Sequence, residues 1–163
     1  MAADYITEFE NIRHLETNSI AFLGQVGAGK THLTIAIANA LLKKGIGVIY
    51  MQYREVLTLL KQRKFDEENY QKEIGRYKNA PVLLLDDLFK GATRQGQVNE
   101  SETDIMFEIV NHRYLKKLPV LVSSEYPVSQ LIEFDEATGS RIAHMCNGYT
   151  IEFHGAELNH RLV

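Results

Sequence analysis

The segment from Gly24 to Thr31 carries the residue types that a bound triphosphate requires. Its sequence, GQVGAGKT, fits the pattern G-x-x-x-x-G-K-[ST] at every fixed position. The glycines allow a tight turn with inward-pointing backbone N–H groups, Lys30 supplies a positive charge, and Thr31 supplies a hydroxyl for Mg²⁺. We therefore predict that a triphosphate ligand binds here together with Mg²⁺. The predicted nucleotide contacts are Gly24, Gln25, Val26, Gly27, Ala28, Gly29, Lys30, Thr31 and His32.

The residues on either side of this segment suit a strand and a helix. The apolar run Ser19–Leu23 is typical of a buried strand. After Lys30, apolar residues recur at helical spacing as far as Lys43–Gly45, where cations and a glycine are typical of a helix C-terminus. A helix that starts at the turn points the positive end of its dipole at the phosphates. The flanks therefore favour a phosphate-binding loop over a chance glycine-rich turn.

A second candidate lies at Asp86 and Asp87, directly after the apolar run Val82–Leu85. Four apolar residues without alternation suit a strand that is covered on both faces of a parallel sheet. At the end of such a strand, Asp86 is predicted to hold the Mg²⁺ that Thr31 also contacts. Asp87 is predicted to polarise the attacking water. The alternative is an ordinary turn that contains two aspartates.

Length and composition limit the organisation of the chain. With 163 residues, of which 45% are hydrophobic, the sequence can build one domain with a sizeable core, and we expect a single domain over residues 1–163. No apolar run reaches the length of a membrane span, and the N-terminal residues lack the character of a signal peptide. We therefore expect a cytoplasmic protein with no membrane partner.

Charge, cysteine and histidine content exclude several kinds of site. The net charge of −3 gives no global attraction for nucleic acid, so any such contact must be local. Cys146 is the single cysteine, which excludes an internal disulfide and a cysteine-based zinc site. The six histidines show no metal-binding spacing.

Strand-like and helix-like segments alternate along the chain. Further strands are predicted at Ile46–Tyr50, Pro119–Val122 and Tyr149–Phe153. This alternation predicts an α/β fold of three layers with a central, mostly parallel sheet.

Other segments carry weaker signals. The charged stretch Lys61–Lys78 suggests a solvated helical insertion, and Lys90–Asn99 suggests a mobile loop. Ser101–Asp104 matches a capping box, which predicts the start of a helix. Arg113 falls on the apolar stripe of that helix. We expect its guanidinium at the rim of the core, in water, with a partner carboxylate or phosphate as the alternative.

Four segments together resemble the AAA+ domain of DnaC/DnaI-type replicative helicase loaders. They are Gly24–Leu33 (GQVGAGKTHL), Asp86-Asp87, Ser123–Tyr126 and Gly139–Ile142. The sequence is also similar to the related IstB transposition ATPases. The resemblance runs over nearly the whole chain and implies the P-loop NTPase fold of the AAA+/RecA type.

The resemblance also implies roles for individual residues. Lys30 and Thr31 would bind phosphate and Mg²⁺, Asp86 would hold the metal, and Asp87 would orient water. Arg141 matches the arginine finger of the family, which reaches the nucleotide of a neighbouring subunit. The implied protein is a Mg²⁺-dependent ATPase that self-associates through its ATP interfaces.

The sequence departs from the family pattern at two points. The polar residue after the fourth strand, usually Asn in these loaders, is here Glu125, with Ser124 beside it. We expect Glu125 to take part in catalysis, although either residue is a candidate for the sensor position. The helicase-binding domain that usually precedes the loader ATPase domain is not expected in this sequence. Arg161 is a further candidate, as a lid arginine.

The leading functional hypothesis is an ATPase that loads a hexameric replicative DNA helicase onto single-stranded DNA. An IstB-type transposition helper is the first alternative, and a P-loop kinase for a small metabolite is the second. The segment Tyr53–Lys78 corresponds to the helical element that initiator-type AAA+ proteins place around DNA. Within it, basic and aromatic residues are candidates for single-strand binding, and a solvated charged helix pair is the alternative. The candidates are Lys61, Arg63, Lys64, Lys72, Arg76, Lys78, Tyr70 and Tyr77.

Overall fold

The computed structural model describes residues 1–91, 93–94 and 97–155. Seven helices and seven strands lie in this part of the chain. The helices are α1 (Ala2–Ile12), α2 (Lys30–Lys43), α3 (Tyr53–Arg63), α4 (Glu67–Asn79), α5 (Glu100–Lys116), α6 (Val128–Phe134) and α7 (Glu136–Met145). The strands are β1 (Ile20–Gly24), β2 (Val48–Gln52), β3 (Val82–Asp86), β4 (Thr93–Arg94), β5 (Gln97–Val98), β6 (Val120–Ser123) and β7 (Thr150–Phe153).

Five strands form one parallel sheet in the order β2-β3-β6-β1-β7. The central strands β1, β3 and β6 are buried at every residue, as their continuous apolar runs predict. The register places β1 between its two neighbours, with Ile20 beside Leu121 and Ala21 beside Thr150. The predicted α/β fold is confirmed, and the carboxyl ends of all five strands meet at one edge.

Helices cover both faces of the sheet and give the three predicted layers. On one face, α1 and α2 pack Tyr5, Phe9 and Ile37 against Phe22 and Leu84. On the other face, α3, α4, α5 and α7 contribute a larger apolar cluster against the remaining sheet residues. Each face of the sheet therefore has its own apolar core.

Helix α1 was not predicted from the sequence. Tyr5 and Phe9 are fully buried, and the Tyr5 hydroxyl donates a hydrogen bond to the Asn18 carbonyl at 2.8 Å. The Tyr5 ring also contacts the Tyr149 ring edge to face at 5.2 Å between centroids. The helix is thus part of the core around β1 and β7.

Two local predictions between β3 and α5 need correction. The segment expected to be a loop contains the short antiparallel pair β4 and β5. The helix expected to start from a capping box at Ser101 is capped instead by Asn99, whose side chain accepts a hydrogen bond from the Ser101 backbone N–H at 2.9 Å. Asparagine is as good a cap as serine, and the earlier residue takes the position.

The charged stretch Lys61–Lys78 is not a fully solvated insertion. Its helix α4 buries Tyr70, Ile74 and Tyr77 against α3 and α5. These three residues recur at i, i+4 and i+7, the spacing of a helical apolar face, so the pattern was present in the sequence but was overlooked among the many charged residues. Because both tyrosine rings are buried, the prediction that they stack on single-stranded DNA is wrong.

Arg113 lies inside the core and not at its rim. The residue is fully buried, and its guanidinium donates to the carbonyls of Tyr77 (2.9 Å), Ala80 (2.9 Å) and Pro119 (2.7 Å). The last carbonyls of a helix have no partner within that helix, so the guanidinium completes the end of α4. Burial lowers the pKa of Arg113 to about 9, which leaves it charged at neutral pH. Within the described residues, Arg113 therefore lies neither at the rim of the core nor beside a carboxylate or phosphate, the two positions that we expected from the sequence.

We predict that Arg113→Met lowers the free energy of unfolding by roughly 3 kcal/mol, because several buried carbonyls lose charge-assisted hydrogen bonds. Urea unfolding followed by circular dichroism measures the change. Arg76→Met is the matched control. The Arg76 side chain is 58% exposed, and its partner Glu73, which is largely buried, keeps Arg63 as a second partner, so the loss of Arg76 should cost no more than about 1 kcal/mol. Equal costs for the two variants would contradict the capping role.

Candidate functional site

The segment Gly24–Thr31 forms a turn between β1 and α2 at the carboxyl edge of the sheet. Gly24, Gly27 and Gly29 have φ values of 91°, 79° and 80°, in the left-handed region that favours glycine. A Cβ at position 24 would also collide with the backbone carbonyl of Phe153 on β7. Helix α2 begins directly after the turn, at Lys30. The predicted strand, turn and helix are therefore all present.

The Lys30 side chain lies within this turn and is only 7% exposed. Its ammonium donates to the carbonyls of Gly24 at 2.7 Å and Gln25 at 2.6 Å. These bonds hold the positive charge under the loop, where the backbone N–H groups of a helix N-terminus also favour an anion.

A cleft of about 510 Å³ opens beside the turn. Most of the predicted phosphate-loop residues line it, together with one aspartate and two residues from further along the chain. The lining residues are Val26, Gly27, Gly29, Lys30, Thr31, His32, Asp87, Lys90 and Glu125. Gly24, Gln25 and Ala28, which were also predicted, belong to the turn but are not among the residues that line the cleft. A cleft of this size can hold a nucleotide-sized ligand.

Asp86 and Thr31, the predicted metal pair, are in direct contact. The Thr31 hydroxyl donates to Asp86 Oδ1 at 2.9 Å, although the two residues are 55 positions apart. Asp86 is 3% exposed and also accepts hydrogen bonds from the hydroxyls of Tyr50, at 2.7 Å on Oδ2, and Ser123, on Oδ1. An oxygen-rich pair of this kind suits Mg²⁺.

Sequence reasoning missed Tyr50 and Ser123. Tyr50 lies in the middle of β2 and Ser123 is the last residue of β6, and both strands neighbour β3 in the sheet. Burial, followed by the hydrogen bond to Asp86, raises the pKa of the Tyr50 hydroxyl well above its ordinary value. The phenol therefore stays protonated and remains a donor to the carboxylate. A polar residue at the end of each predicted strand was the available signal.

Asp87 stands at the mouth of the cleft with a left-handed backbone, at φ 57°. Its carboxylate is paired with Lys90, whose ammonium lies 3.1 Å from Asp87 Oδ2 and 3.0 Å from Glu125 Oε1. Burial alone would lower the pKa of Lys90, but the hydrogen bonds and charges of Glu125 and Asp87 raise it above its ordinary value. Lys90 was assigned to a loop from the sequence, and its role in the cleft was missed.

The two candidates for the sensor position differ in where they point. Ser124 is fully buried, and its hydroxyl donates to the Leu88 carbonyl at 2.8 Å. Glu125, the next residue, lines the cleft. Of the two, Glu125 is therefore the side chain that can meet a ligand.

The family can be assigned from the sequence as a whole. The family model for the IstB-like ATP binding protein (IstB_IS21) matches residues 3–154. This chain belongs to that family. The match covers every strand of the main sheet, the phosphate loop and the aspartate pair.

Individual relatives include phage and replication proteins. The chain is 41% identical over 162 residues to the phage-like element PBSX protein XkdC of Bacillus subtilis strain 168, and covers 98% of itself and 60% of that protein. It is 28% identical over 108 residues to the replicative helicase loader DnaI of the same strain, which covers 66% of this chain and 33% of DnaI. This chain therefore spans only part of the length of these curated relatives.

A solved structure supports the fold assignment. The AMPPCP-bound DnaA of Aquifex aeolicus matches with a TM-score of 0.74 and 25% identity, over 96% of this chain and 46% of that one. The IstB-like chain thus has the fold of the AAA+ P-loop ATPases. Within the described residues, no helix is both long and apolar enough to cross a membrane.

Arg141 of this IstB-like domain is absent from the lining of the cleft in its own chain. Its guanidinium donates to Asn111 Oδ1 at 3.0 Å and lies over the Phe107 ring at 5.0 Å. Gly139 lets α7 approach α6 closely, since a Cβ there would be 2.6 Å from backbone atoms of Leu131. Arg141 is therefore held on α7 against α5. Arg161 lies outside the described residues.

Proposed function

We propose that this chain is a Mg²⁺-dependent ATPase that loads a hexameric replicative helicase onto single-stranded DNA. The observation that carries the proposal is the contact of Thr31 with Asp86 beside a cleft that also holds Asp87. This arrangement joins a phosphate loop, a metal site and an acid in one place. The similarity to the DnaI loader supports the choice of partner. The activity is expected in the cytoplasm.

The residues present fit a nucleotide with its metal ion. The glycine turn offers backbone N–H groups, Lys30 offers a charge, and Thr31 and Asp86 offer oxygen ligands. Bound Mg²⁺ would neutralise charge on the phosphates and orient them. Tyr50 and Ser123 keep the Asp86 carboxylate in one orientation through their hydrogen bonds. Asp87 lines the same cleft, which supports the proposal that it orients a water molecule towards the terminal phosphate.

Arg141 is proposed to act on the nucleotide of a neighbouring subunit. Its place on α7, outside the lining of its own cleft, fits a role in trans. The ring of Phe107 and the carbonyl of Asn111 hold the side chain in one position, which reduces the entropy lost when it contacts phosphate. Self-association through ATP interfaces follows from this proposal.

Contact with single-stranded DNA is proposed at the turn between α3 and α4. Phe65 in this turn is 99% exposed and can stack on a base. Lys72 on α4 is also exposed, whereas Lys61, Arg63 and Lys78 form ion pairs with acidic residues of the same domain. The DNA contact would therefore rest on fewer basic residues than the sequence suggests.

Two substitutions separate metal binding from hydrolysis. We predict that Asp87→Asn keeps Mg·ATP affinity within about threefold and lowers the hydrolysis rate by roughly 100-fold or more, because water activation is lost while the metal ligands and the phosphate loop are unchanged. Asp86→Ala should instead abolish the dependence of ATP binding on Mg²⁺. Calorimetric titration with and without Mg²⁺, together with phosphate release, measures both quantities. Identical defects in the two variants would contradict the separate roles.

A mixing experiment tests whether Arg141 acts in trans. We predict that Arg141→Ala and Lys30→Ala each have little ATPase activity alone, and that their mixture regains at least about a tenth of the parent rate, because each variant supplies one intact half of an interface. The parent rate per subunit should rise with protein concentration. Lys43→Ala, which removes an exposed charge at the far end of α2, is the control and should keep the parent rate. Activity independent of concentration, with no recovery on mixing, would indicate a self-contained ATPase or kinase.

The choice between helicase loading and transposition needs a partner experiment. The family assignment favours an IstB-type transposition helper as the second candidate. We predict that the chain binds a purified hexameric replicative helicase in gel filtration when Mg·ATP is present, and increases the amount of helicase bound to circular single-stranded DNA. Lys30→Ala should do neither. Binding to an IS21-type transposase on duplex DNA, without helicase binding, would select the transposition role.

A further inference from the structure

We propose that Lys90 is the group that distinguishes a nucleoside triphosphate from a diphosphate in this cleft. The inference rests on the nucleotide-binding function proposed above and adds a specificity-determining residue to it. It comes from the contacts of Lys90 with Asp87 and Glu125 and from the rigid turn that carries it.

Lys90 offsets the negative charge of two carboxylates that line the cleft. Asp87 and Glu125 both line it, and a carboxylate offers only acceptor atoms. Neither can donate a hydrogen bond to a phosphate, and both repel one. The Lys90 ammonium bridges the two carboxylates at 3.1 Å and 3.0 Å. It converts a pair of repelling acids into a site with net charge close to that of a single carboxylate.

An ammonium has three N–H donors. Two of them face Asp87 and Glu125, and Lys90 itself lines the cleft. The third donor can therefore be given to a ligand without breaking either ion pair. A phosphate oxygen is the acceptor that gains most from such a donor, because both partners are charged.

Lys90 is carried by a well-anchored turn and not by a loose surface segment. Asp87, Phe89 and Gly91 all have left-handed backbone, with φ values of 57°, 62° and 62°. Phe89 is fully buried and packs edge to face against Tyr53 at 5.7 Å between centroids. The Arg54 guanidinium donates to the Gly91 carbonyl at 2.5 Å. The anchored turn fixes the backbone at Lys90, and the two ion pairs hold its ammonium at the cleft.

The location explains why the effect should depend on the third phosphate. Lys30 lies within the phosphate loop, which ATP and ADP both contact. Lys90 lies beside Asp87, the residue proposed to act on the terminal phosphate. A group paired with Asp87 is therefore near the phosphate that ATP has and ADP lacks.

The test compares the affinities for AMPPCP, a triphosphate analogue, and for ADP, both with saturating Mg²⁺. We expect Lys90→Met to weaken AMPPCP binding roughly 10- to 100-fold, the loss of one hydrogen bond between charged groups, and to change ADP binding by less than about threefold. Lys90→Arg should restore most of the discrimination. Calorimetry gives both dissociation constants.

Lys43→Met is the matched control. Lys43 is exposed at the far end of α2, roughly 20 Å along the helix from Lys30, so it removes the same charge without touching the cleft. It should leave both affinities unchanged. Equal weakening of AMPPCP and ADP by Lys90→Met would overturn the proposal, and so would unchanged AMPPCP affinity. If the parent chain binds neither nucleotide, the proposed function itself fails, and this inference fails with it.

A double variant separates direct contact from charge balance. In Lys90→Met, two carboxylates lose their counter-charge, and this alone weakens binding of a polyanion. Adding Glu125→Gln removes one of those charges and should recover only part of the lost AMPPCP affinity if Lys90 donates to the phosphate. Full recovery would show that Lys90 acts only by neutralising Glu125, and would overturn the proposed contact.

Discussion

A carboxylate taken out of water must be matched by hydrogen-bond donors, and Asp86 meets this requirement with hydroxyls from three other segments. Thr31 comes from the start of α2, Tyr50 from β2 and Ser123 from the end of β6. The four segments therefore meet at one side chain, although they are distant in sequence. This cluster ties the start of α2 to the sheet edge that carries Asp87, in addition to the apolar packing of α2 on the face of the sheet.

The sequence allowed the clearest predictions where the residues of a motif are consecutive. The phosphate loop is eight consecutive residues, and the aspartate pair directly follows an apolar run, so both could be predicted without knowing the sheet order. Tyr50 and Lys90 could not be predicted in this way. Tyr50 reaches Asp86 because β2 and β3 are neighbours in the sheet, and Lys90 meets Glu125 only because β3 and β6 are also neighbours. The order of strands is a property of packing between distant segments, which local patterns do not contain.

The incorrect predictions for α4 and for Arg113 of α5 both concern charged residues. In α4, charges interrupt the apolar stripe of Tyr70, Ile74 and Tyr77, and the helix was taken for a solvated one. Many of these charges are satisfied within the domain, since Glu73 pairs with Arg63 and Arg76. Arg113 is buried in the core, where its guanidinium takes the place of a cap at the end of α4. In this domain, much of the charge in α4 and α5 stabilises the packing of helices and is not available for a partner.

The position of α1 bears on where the folding unit of this domain begins. No motif marks the helix, yet it packs against α2 and places Tyr5 and Phe9 in the apolar core on one face of the sheet, with the Tyr5 ring against Tyr149. A fragment cut at the phosphate-loop strand would lack Tyr5 and Phe9 and would expose apolar residues of the core that they contact. The core therefore needs residues that lie before the first recognisable motif in the sequence. The proposed nucleotide site in this domain therefore depends on residues that take no part in the proposed chemistry.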